Sequence, residues 1–116
     1  MLKRLSIAVF AFAISCISAS ASTCYVSEFT QAGASGVQVA RQPGTDQSPI
    51  TVSASSAQSA AFASTTVLIR VNCDVVVSFL IGTNPTATTS NARMAAGQTE
   101  YFQVIARQLI AFISNN

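Results

Sequence analysis

The chain has 116 residues, of which half are hydrophobic and only 9% are charged, with a formal net charge of +2 and no histidine. Histidine is the commonest general base and metal ligand, and its absence argues against metal or cofactor chemistry. The arginines are scattered singly, whereas nucleic-acid binding needs clustered positive charge. Composition therefore predicts a protein without a cofactor, a metal or a nucleic-acid partner.

The N-terminal segment has the three-part layout of a secretory signal peptide. Lys3 and Arg4 form its positive start, 5–17 is an almost unbroken apolar run, and Ala19-Ser20-Ala21 matches a cleavage site. The run is shorter than the roughly 20 residues that span a bilayer as a helix. We therefore expect a removed signal peptide and no stable membrane span after processing.

Removal of residues 1–21 would change the chemistry of the chain. The domain predicted over 22–116 keeps four arginines against four carboxylates and is neutral. Its cysteines are then Cys24 and Cys73. Two alternatives remain open for the segment: a buried N-terminal helix, or a lipoprotein signal with Cys16 as the lipid attachment site.

The sequence after residue 22 alternates as β-strands do. The first predicted strand, 23–29, places Cys24 and Val26 on one face and Tyr25, Ser27 and Phe29 on the other. Strands 37–41 and 50–54 follow, each preceded by a turn that contains glycine, at 33–36 and 42–47. The next segment, 55–66, is small and polar, with Phe62 as its one large anchor.

The most apolar stretch, 66–82, reads as two strands at 66–72 and 75–81 joined by a tight turn. It is rich in valine and isoleucine, which favour a pleated surface. Arg70 and Asp74 are four residues apart, so a single helix is the alternative. Arg70 alternates with apolar neighbours and is predicted to point outward.

A long polar connection, 82–98, is expected to run over the surface, followed by a closing hairpin of 99–104 and 108–114 around Ala106-Arg107. Short strands at this spacing, with turns between them, are typical of sandwiches and barrels. We predict one all-β domain, a small antiparallel β-sandwich or jelly-roll-like barrel of about seven strands.

Cys24 and Cys73 are the two cysteines left after processing. In an exported protein they could form a disulfide, which in the chain-entropy model contributes about 4 kcal/mol for a loop of this length. That requires their Cα atoms to lie within about 7 Å. The alternative is two small buried hydrophobic side chains.

Catalytic motifs are missing, and the carboxylates of the predicted domain stand alone in sequence. We therefore expect no enzymatic activity. A small enzyme remains a formal alternative, and it would need two carboxylates within about 10 Å in a cleft. The candidates are Glu28, Asp46, Asp74 and Glu100.

Three motifs carry a resemblance to a known group: Tyr-Val-Ser-Glu at 25–28, Gly-Thr-Asn-Pro-Thr-Ala-Thr at 82–88 and Gln-Thr-Glu-Tyr-Phe at 98–102. Most of 25–114 resembles short tailed-bacteriophage and prophage proteins. The resemblance implies a non-enzymatic virion protein with a capsid decoration, cement or head-fibre-like role, whose partners are capsid or other virion proteins. The signal-like segment departs from that group, so an exported periplasmic or cell-surface binding module is the alternative.

The low charge of the strands and the long connection at 82–98 both favour self-association. Strand edges with little charge pair readily with other chains, and long loops in small β domains often bind partners. We predict a homo-oligomer, a trimer if the protein decorates a capsid; a monomer with a floppy loop is the alternative. The contact surface is predicted within 83–98, at Thr83, Asn84, Pro85, Thr86, Arg93 and Met94.

Overall fold

Two antiparallel sheets make up the fold. The computed structural model describes residues 21–31 and 43–116; the predicted signal segment and the predicted strand 37–41 lie outside the described residues. Within those ranges the chain forms strands and turns without a helix, which confirms the all-β prediction. That part of the chain accordingly has no helix able to cross a membrane.

The described ranges contain nine strands, where six were predicted. Their bounds are β1 Thr23–Phe29, β2 Thr45–Asp46, β3 Ile50–Thr51, β4 Ala57–Gln58, β5 Leu68–Cys73, β6 Val77–Gly82, β7 Ala92–Met94, β8 Thr99–Gln103 and β9 Leu109–Ser114. The first sheet has the order β2-β1-β5-β8, with β3 also paired to β1. The second sheet has the order β4-β9-β6-β7. Strands β2, β4 and β7 were not predicted, because two or three residues are too few for alternation to show.

The facing sides of the two sheets form one apolar core. Inward side chains alternate along the long strands, as a sheet that is buried on one face requires. Phe79 of the second sheet and Phe102 of the first meet across the layers, with ring centroids 5.0 Å apart. The fully buried members of the core include Val71, Val77, Ile110 and Phe112.

Phe29 departs from the predicted pattern. Alternation assigns it to the solvent face of β1, yet its side chain is only 3% exposed. Its partner across the ladder is the buried Leu68. The backbone of Gly44 packs on the Phe29 ring, because a Cβ built at Gly44 would lie 2.5 Å from Phe29 Cε1. The outer face of the first sheet is therefore covered at this end.

The predicted closing hairpin is wrong. β8 pairs with β5 in the first sheet, whereas β9 pairs with β4 and β6 in the second. The turn at Ala106-Arg107 exists, and Arg107 has φ of +67°, but it carries the chain between sheets. Backbone hydrogen bonds with Phe62 hold this connection: Arg107 N–H donates to the Phe62 carbonyl, and Phe62 N–H to that of Gln108.

The two strands predicted in 66–82 are present as β5 and β6. Their connection is short, as predicted, but it also passes from the first sheet to the second. The polar connection at 82–98 is not one long loop, because it contains β7, which pairs with β6.

Candidate functional site

The outer face of the first sheet carries a row of polar and aromatic side chains. Antiparallel register brings Asp46 of β2 opposite Ser27 of β1, Ser27 opposite Arg70 of β5, and Arg70 opposite Tyr101 of β8. These side chains share one face because residues directly opposite each other in a ladder point the same way. A second row, two residues away on each strand, consists of Tyr25, Asn72 and Thr99.

Two adjoining depressions lie over these rows. The larger has a volume of about 530 Å³, and the smaller about 350 Å³. They share Ser27, Asp46 and Arg70, so we treat them as one feature, the outer groove. The larger part is also lined by Tyr25, Val26, Gln47, Pro49 and Asn72, and the smaller part by Phe29, Pro43, Gly44 and Tyr101.

Hydrogen bonds fix two of the groove side chains. The Ser27 hydroxyl donates to Asp46 Oδ1. The Asn72 amide nitrogen donates to the Gly97 and Gln98 carbonyls, both at 3.0 Å, and to Thr99 Oγ1 at 3.1 Å. The N–H donors of the Asn72 side chain are thus used within the protein, and Asn72 is one of the residues that line the groove.

Behind the groove lies a buried carboxylate. Glu28 is 8% exposed and accepts hydrogen bonds from Gln47 Nε2 at 2.7 Å, from the backbone N–H of Ala63 at 2.9 Å and from the Thr66 hydroxyl. A buried carboxylate is tolerated when its oxygens are hydrogen-bonded in this way. We call Glu28, Gln47, Ala63 and Thr66 the Glu28 cluster.

Gln47 connects the Glu28 cluster to the rim of the groove. Its backbone N–H donates to the Val26 carbonyl at 2.9 Å. Its side-chain amide donates to the Ala60 carbonyl at 3.2 Å and accepts from the Ala60 N–H at 3.1 Å. The segment between β2 and β3 is therefore held against β1 and against the segment that follows β4.

Cys24 and Cys73 form a disulfide with a Cα–Cα distance of 4.1 Å. They lie directly opposite each other on β1 and β5, and both are fully buried. Beside them, Thr23 N–H donates to Asp74 Oδ1 at 2.7 Å, and Asp74 N–H donates to the Thr23 carbonyl at 3.0 Å. The bond and these contacts hold one end of the β1–β5 ladder.

The carboxylates do not gather at one site. Asp46 lies on the outer face of the first sheet, whereas Glu28 is on the inner face of the neighbouring strand. Glu100 is also on the inner face, but β5, with Ile69 and Val71 fully buried, separates it from Glu28. Over residues 21–31 and 43–116 no group of three acidic or cysteine side chains could hold a metal ion.

The predicted contact residues divide into exposed and buried sets. Exposed are Thr83, Asn84, Thr86 and Arg93, whereas Pro85 and Met94 are buried. Met94 is 1% exposed and belongs to the core, so its assignment to a contact surface is wrong. The reason is that β7 pairs with β6 and turns Met94 inward. The assignment of Pro85 to the contact surface is corrected for a similar reason, because its side chain is buried and has little area that a partner could contact.

The exposed part of the 83–98 surface is anchored to the second sheet. Gln58 Nε2 on β4 donates to Asn84 Oδ1 at 2.9 Å and to the Pro85 carbonyl at 2.8 Å. The Ser56 hydroxyl accepts from Ala87 N–H at 2.8 Å. Arg93 donates to the Asn115 carbonyl at 3.5 Å. These hydrogen bonds hold the segment in a defined conformation, whereas the alternative prediction was a flexible loop.

Sequence reasoning missed the outer groove. Alternation does place Tyr25, Ser27 and Arg70 on outward positions, but Asp46 was assigned to a turn and Tyr101 to a hairpin. Comparisons with protein-family models, with curated proteins and with solved structures find no match. Function is therefore inferred from the residues themselves and from the resemblance of the three motifs.

Proposed function

We propose that this chain is a non-enzymatic structural protein of the tailed-phage type, positioned on the virion surface as a decoration or cement protein. Its partners are capsid or other virion proteins and further copies of itself, in a homo-oligomer that is a trimer on a capsid. The proposal rests on the phage-like motifs. One structural observation carries it furthest: those motifs coincide with elements that shape the surface of the sandwich.

The motif at 82–88 is one such element. It leaves β6, and Gln58 and Ser56 hold it through the Asn84 side chain and through the backbone of Pro85 and Ala87. A loop tied in this manner presents a fixed surface, which is what binding to a repeated lattice requires, since little ordering entropy is then lost on binding. Thr83, Asn84, Thr86 and Arg93 are the exposed members of the predicted contact surface.

The motif at 98–102 is the second element. It coincides with β8, which lies at the edge of the first sheet and is the longest edge strand of the described sheets. Edge strands are usually blunted by lysine, by proline or by very short length. β8 has five residues, with Glu100 as its one charged member. This edge supports self-association.

The bonding of the carboxylates supports a non-enzymatic role. Glu28 is occupied by three donors, Asp74 binds the backbone of Thr23, and Glu100 accepts from Gln98 Nε2. An acid and base pair would need two carboxylates facing one cleft. In the described part of the chain Asp46 lies on the outer face, and β5 separates Glu28 from Glu100 on the inner face.

Mass spectrometry of purified particles from an induced host tests the proposal. We expect peptides from 25–114 in virions at a stoichiometry that matches a capsid lattice. Their absence from particles would contradict the virion role. Light scattering on the exported, purified protein tests self-association, and a monomer at tens of micromolar would contradict intrinsic oligomerisation, though not assembly on a lattice.

Substitution tests the contact surface. Thr86→Glu and Arg93→Glu place negative charge on exposed positions and should weaken particle binding. Thr51→Glu, on an exposed strand position of the other sheet, is the matched control. Equal particle binding by all three variants would show that this surface does not touch the capsid.

An exported host module is the second candidate, and the disulfide is the observation that favours it. Disulfides persist in oxidising compartments and are rare in the cytosol. N-terminal sequencing of the mature protein, combined with inspection of neighbouring genes, separates the two candidates. A Ser22 start beside secretion or adhesin genes favours export, whereas adjacent capsid and portal genes favour the virion.

A further inference from the structure

The size of the outer groove suits a small ligand. Its larger part, about 530 Å³, falls within the roughly 300–1,000 Å³ that is usual for small-molecule sites. The smaller part continues past Arg70 toward Tyr101. The lining moves along β1, from Tyr25 in the larger part to Phe29 in the smaller part. Two adjoining parts of this kind fit a short chain of linked units better than one compact molecule.

The groove offers apolar faces, donors and acceptors together. Tyr25 is 49% exposed, and Tyr101 is partly exposed at the opposite end. Arg70 contributes a guanidinium with five N–H donors, and Asp46 a carboxylate with about four acceptor sites. The Ser27 hydroxyl takes up one of those acceptor sites.

This combination eliminates several classes of ligand. A purely apolar ligand would strip water from Arg70 and Asp46 without replacing their hydrogen bonds, which is costly. A strongly anionic ligand would gain at Arg70 but meet the Asp46 carboxylate. A cationic ligand faces the reverse conflict. A neutral molecule with many hydroxyl groups can hydrogen-bond both Arg70 and Asp46, because each hydroxyl donates and accepts.

The tyrosines narrow the class further. Aromatic side chains combine an apolar face with a polar tip, so they pack against ligands that are apolar on one side and wet on the other. Sugar rings have this character, with C–H faces and hydroxyl edges. The two-part groove then accommodates linked rings between Tyr25 and Tyr101.

Part of the groove wall is fixed before any ligand arrives. Asn72 is fixed by three hydrogen bonds, and Gln47 is fixed through the Glu28 cluster. A preorganised site loses less conformational entropy when it binds. Asn72 and Gln47, which line the groove, therefore need not rearrange when a ligand binds.

We infer that the outer groove is a binding site for a neutral oligosaccharide of two or three rings, which Arg70 and Asp46 hydrogen-bond and Tyr25 and Tyr101 pack against. On a virion-surface protein such a site would attach particles to cell-surface glycans. The inference goes beyond the proposed function and does not depend on it, because the groove and the 83–98 contact surface lie on different sheets.

Titration by NMR tests the site. The full chain, purified after export, is titrated with cellotriose, maltotriose and triacetylchitotriose, with trigalacturonic acid as the carboxylated comparison. At least one neutral probe should shift the backbone amides of Tyr25, Ser27 and Arg70. Arg70→Gln should weaken that binding at least about tenfold, since a hydrogen bond to a charged group contributes roughly that much.

Arg107→Gln is the matched control, since it removes an exposed arginine that does not line the groove and should leave binding unchanged. The inference is overturned if no neutral probe shifts the groove amides at about 10 mM, which corresponds to negligible affinity. It is also overturned if the shifts lie elsewhere, if Arg70→Gln binds as the parent does, or if the carboxylated probe binds most tightly. None of these results bears on detection of the protein in virions.

Discussion

The two ends of β1 are fastened in different ways. At one end, the Cys24–Cys73 disulfide joins β1 to β5 inside the apolar core. At the other end, the Glu28 cluster joins β1 to the segments that carry Gln47, Ala63 and Thr66 through hydrogen bonds alone. One attachment is covalent and apolar, and the other is polar and reversible.

The difference lies in what each attachment holds. The disulfide connects two strands whose backbones already pair along the ladder, so it acts mainly by restricting the unfolded chain. Glu28 also connects β1 to Ala63 and Thr66, which lie outside the strands paired with β1, so it acts on the shape of the folded protein. Loss of the disulfide should lower stability with the groove intact, whereas loss of Glu28 should also disturb the groove.

The largest expected effect is that of the double substitution Cys24→Ala and Cys73→Ala. We expect the free energy of unfolding to fall by about 4 kcal/mol, from the lost loop constraint. Urea denaturation measures the change, and NMR shifts of groove residues should stay near those of the parent. Chemical reduction of the parent protein is the control. A loss below about 1 kcal/mol would show that the bond adds little to the ladder.

Glu28→Ala should come second, at about 3 kcal/mol, because it leaves buried donors without an acceptor. Hydrogen exchange should accelerate at Gln47 and Ala63, which the Cys substitutions should not affect. Glu100→Ala, a partly exposed carboxylate, is the control and should cost less than about 1 kcal/mol. If hydrogen exchange at Gln47 is unchanged in the Glu28 variant, Glu28 does not hold the Gln47 segment, and the two ends of β1 do not differ in the way proposed.

Thr66→Val should have a smaller effect, about 1 kcal/mol, since it removes one hydroxyl that donates to Glu28 and keeps the shape of the side chain. Thr65→Val, at an exposed neighbouring position, is the control and should be close to neutral. Urea denaturation of both variants checks this. Equal stability of the two would mean that the Thr66 bond contributes nothing measurable.

Arg70→Gln should have the smallest effect on stability, within about 0.5 kcal/mol, because its head group lies on the outer face, away from the core. Thermal unfolding followed by circular dichroism is sufficient to measure this. A larger loss of stability would mean that Arg70 stabilises the sheet in addition to lining the groove.

The sequence predicted the long strands because alternation of apolar and polar residues directly reflects burial on one face. β1, β5, β6, β8 and β9 were all found this way. Pairing was not predictable in the same manner, since the partner of a strand is set by contacts between distant segments. That is why the closing hairpin was wrong and why β7, with Met94, was assigned to a surface connection.

The same limit applied to the candidate site. Tyr25 and Arg70 could be placed on an outward face from local pattern alone. That Asp46 and Tyr101 lie beside them on the same face depends on the register of three separate strand pairs. No local sequence pattern encodes that register. The cysteine pair was easier, because only two cysteines follow the signal-like segment.

The order of strands in the sheets has a consequence for how the chain folds. In the described ranges, only β1–β2 and β6–β7 pair strands that follow each other in sequence. Each of the other pairings must close a longer loop before its contacts are gained. Proteins dominated by such non-local pairings fold in milliseconds to seconds. During that interval the strand edges, which carry few charges, remain open to other chains, so folding competes with aggregation.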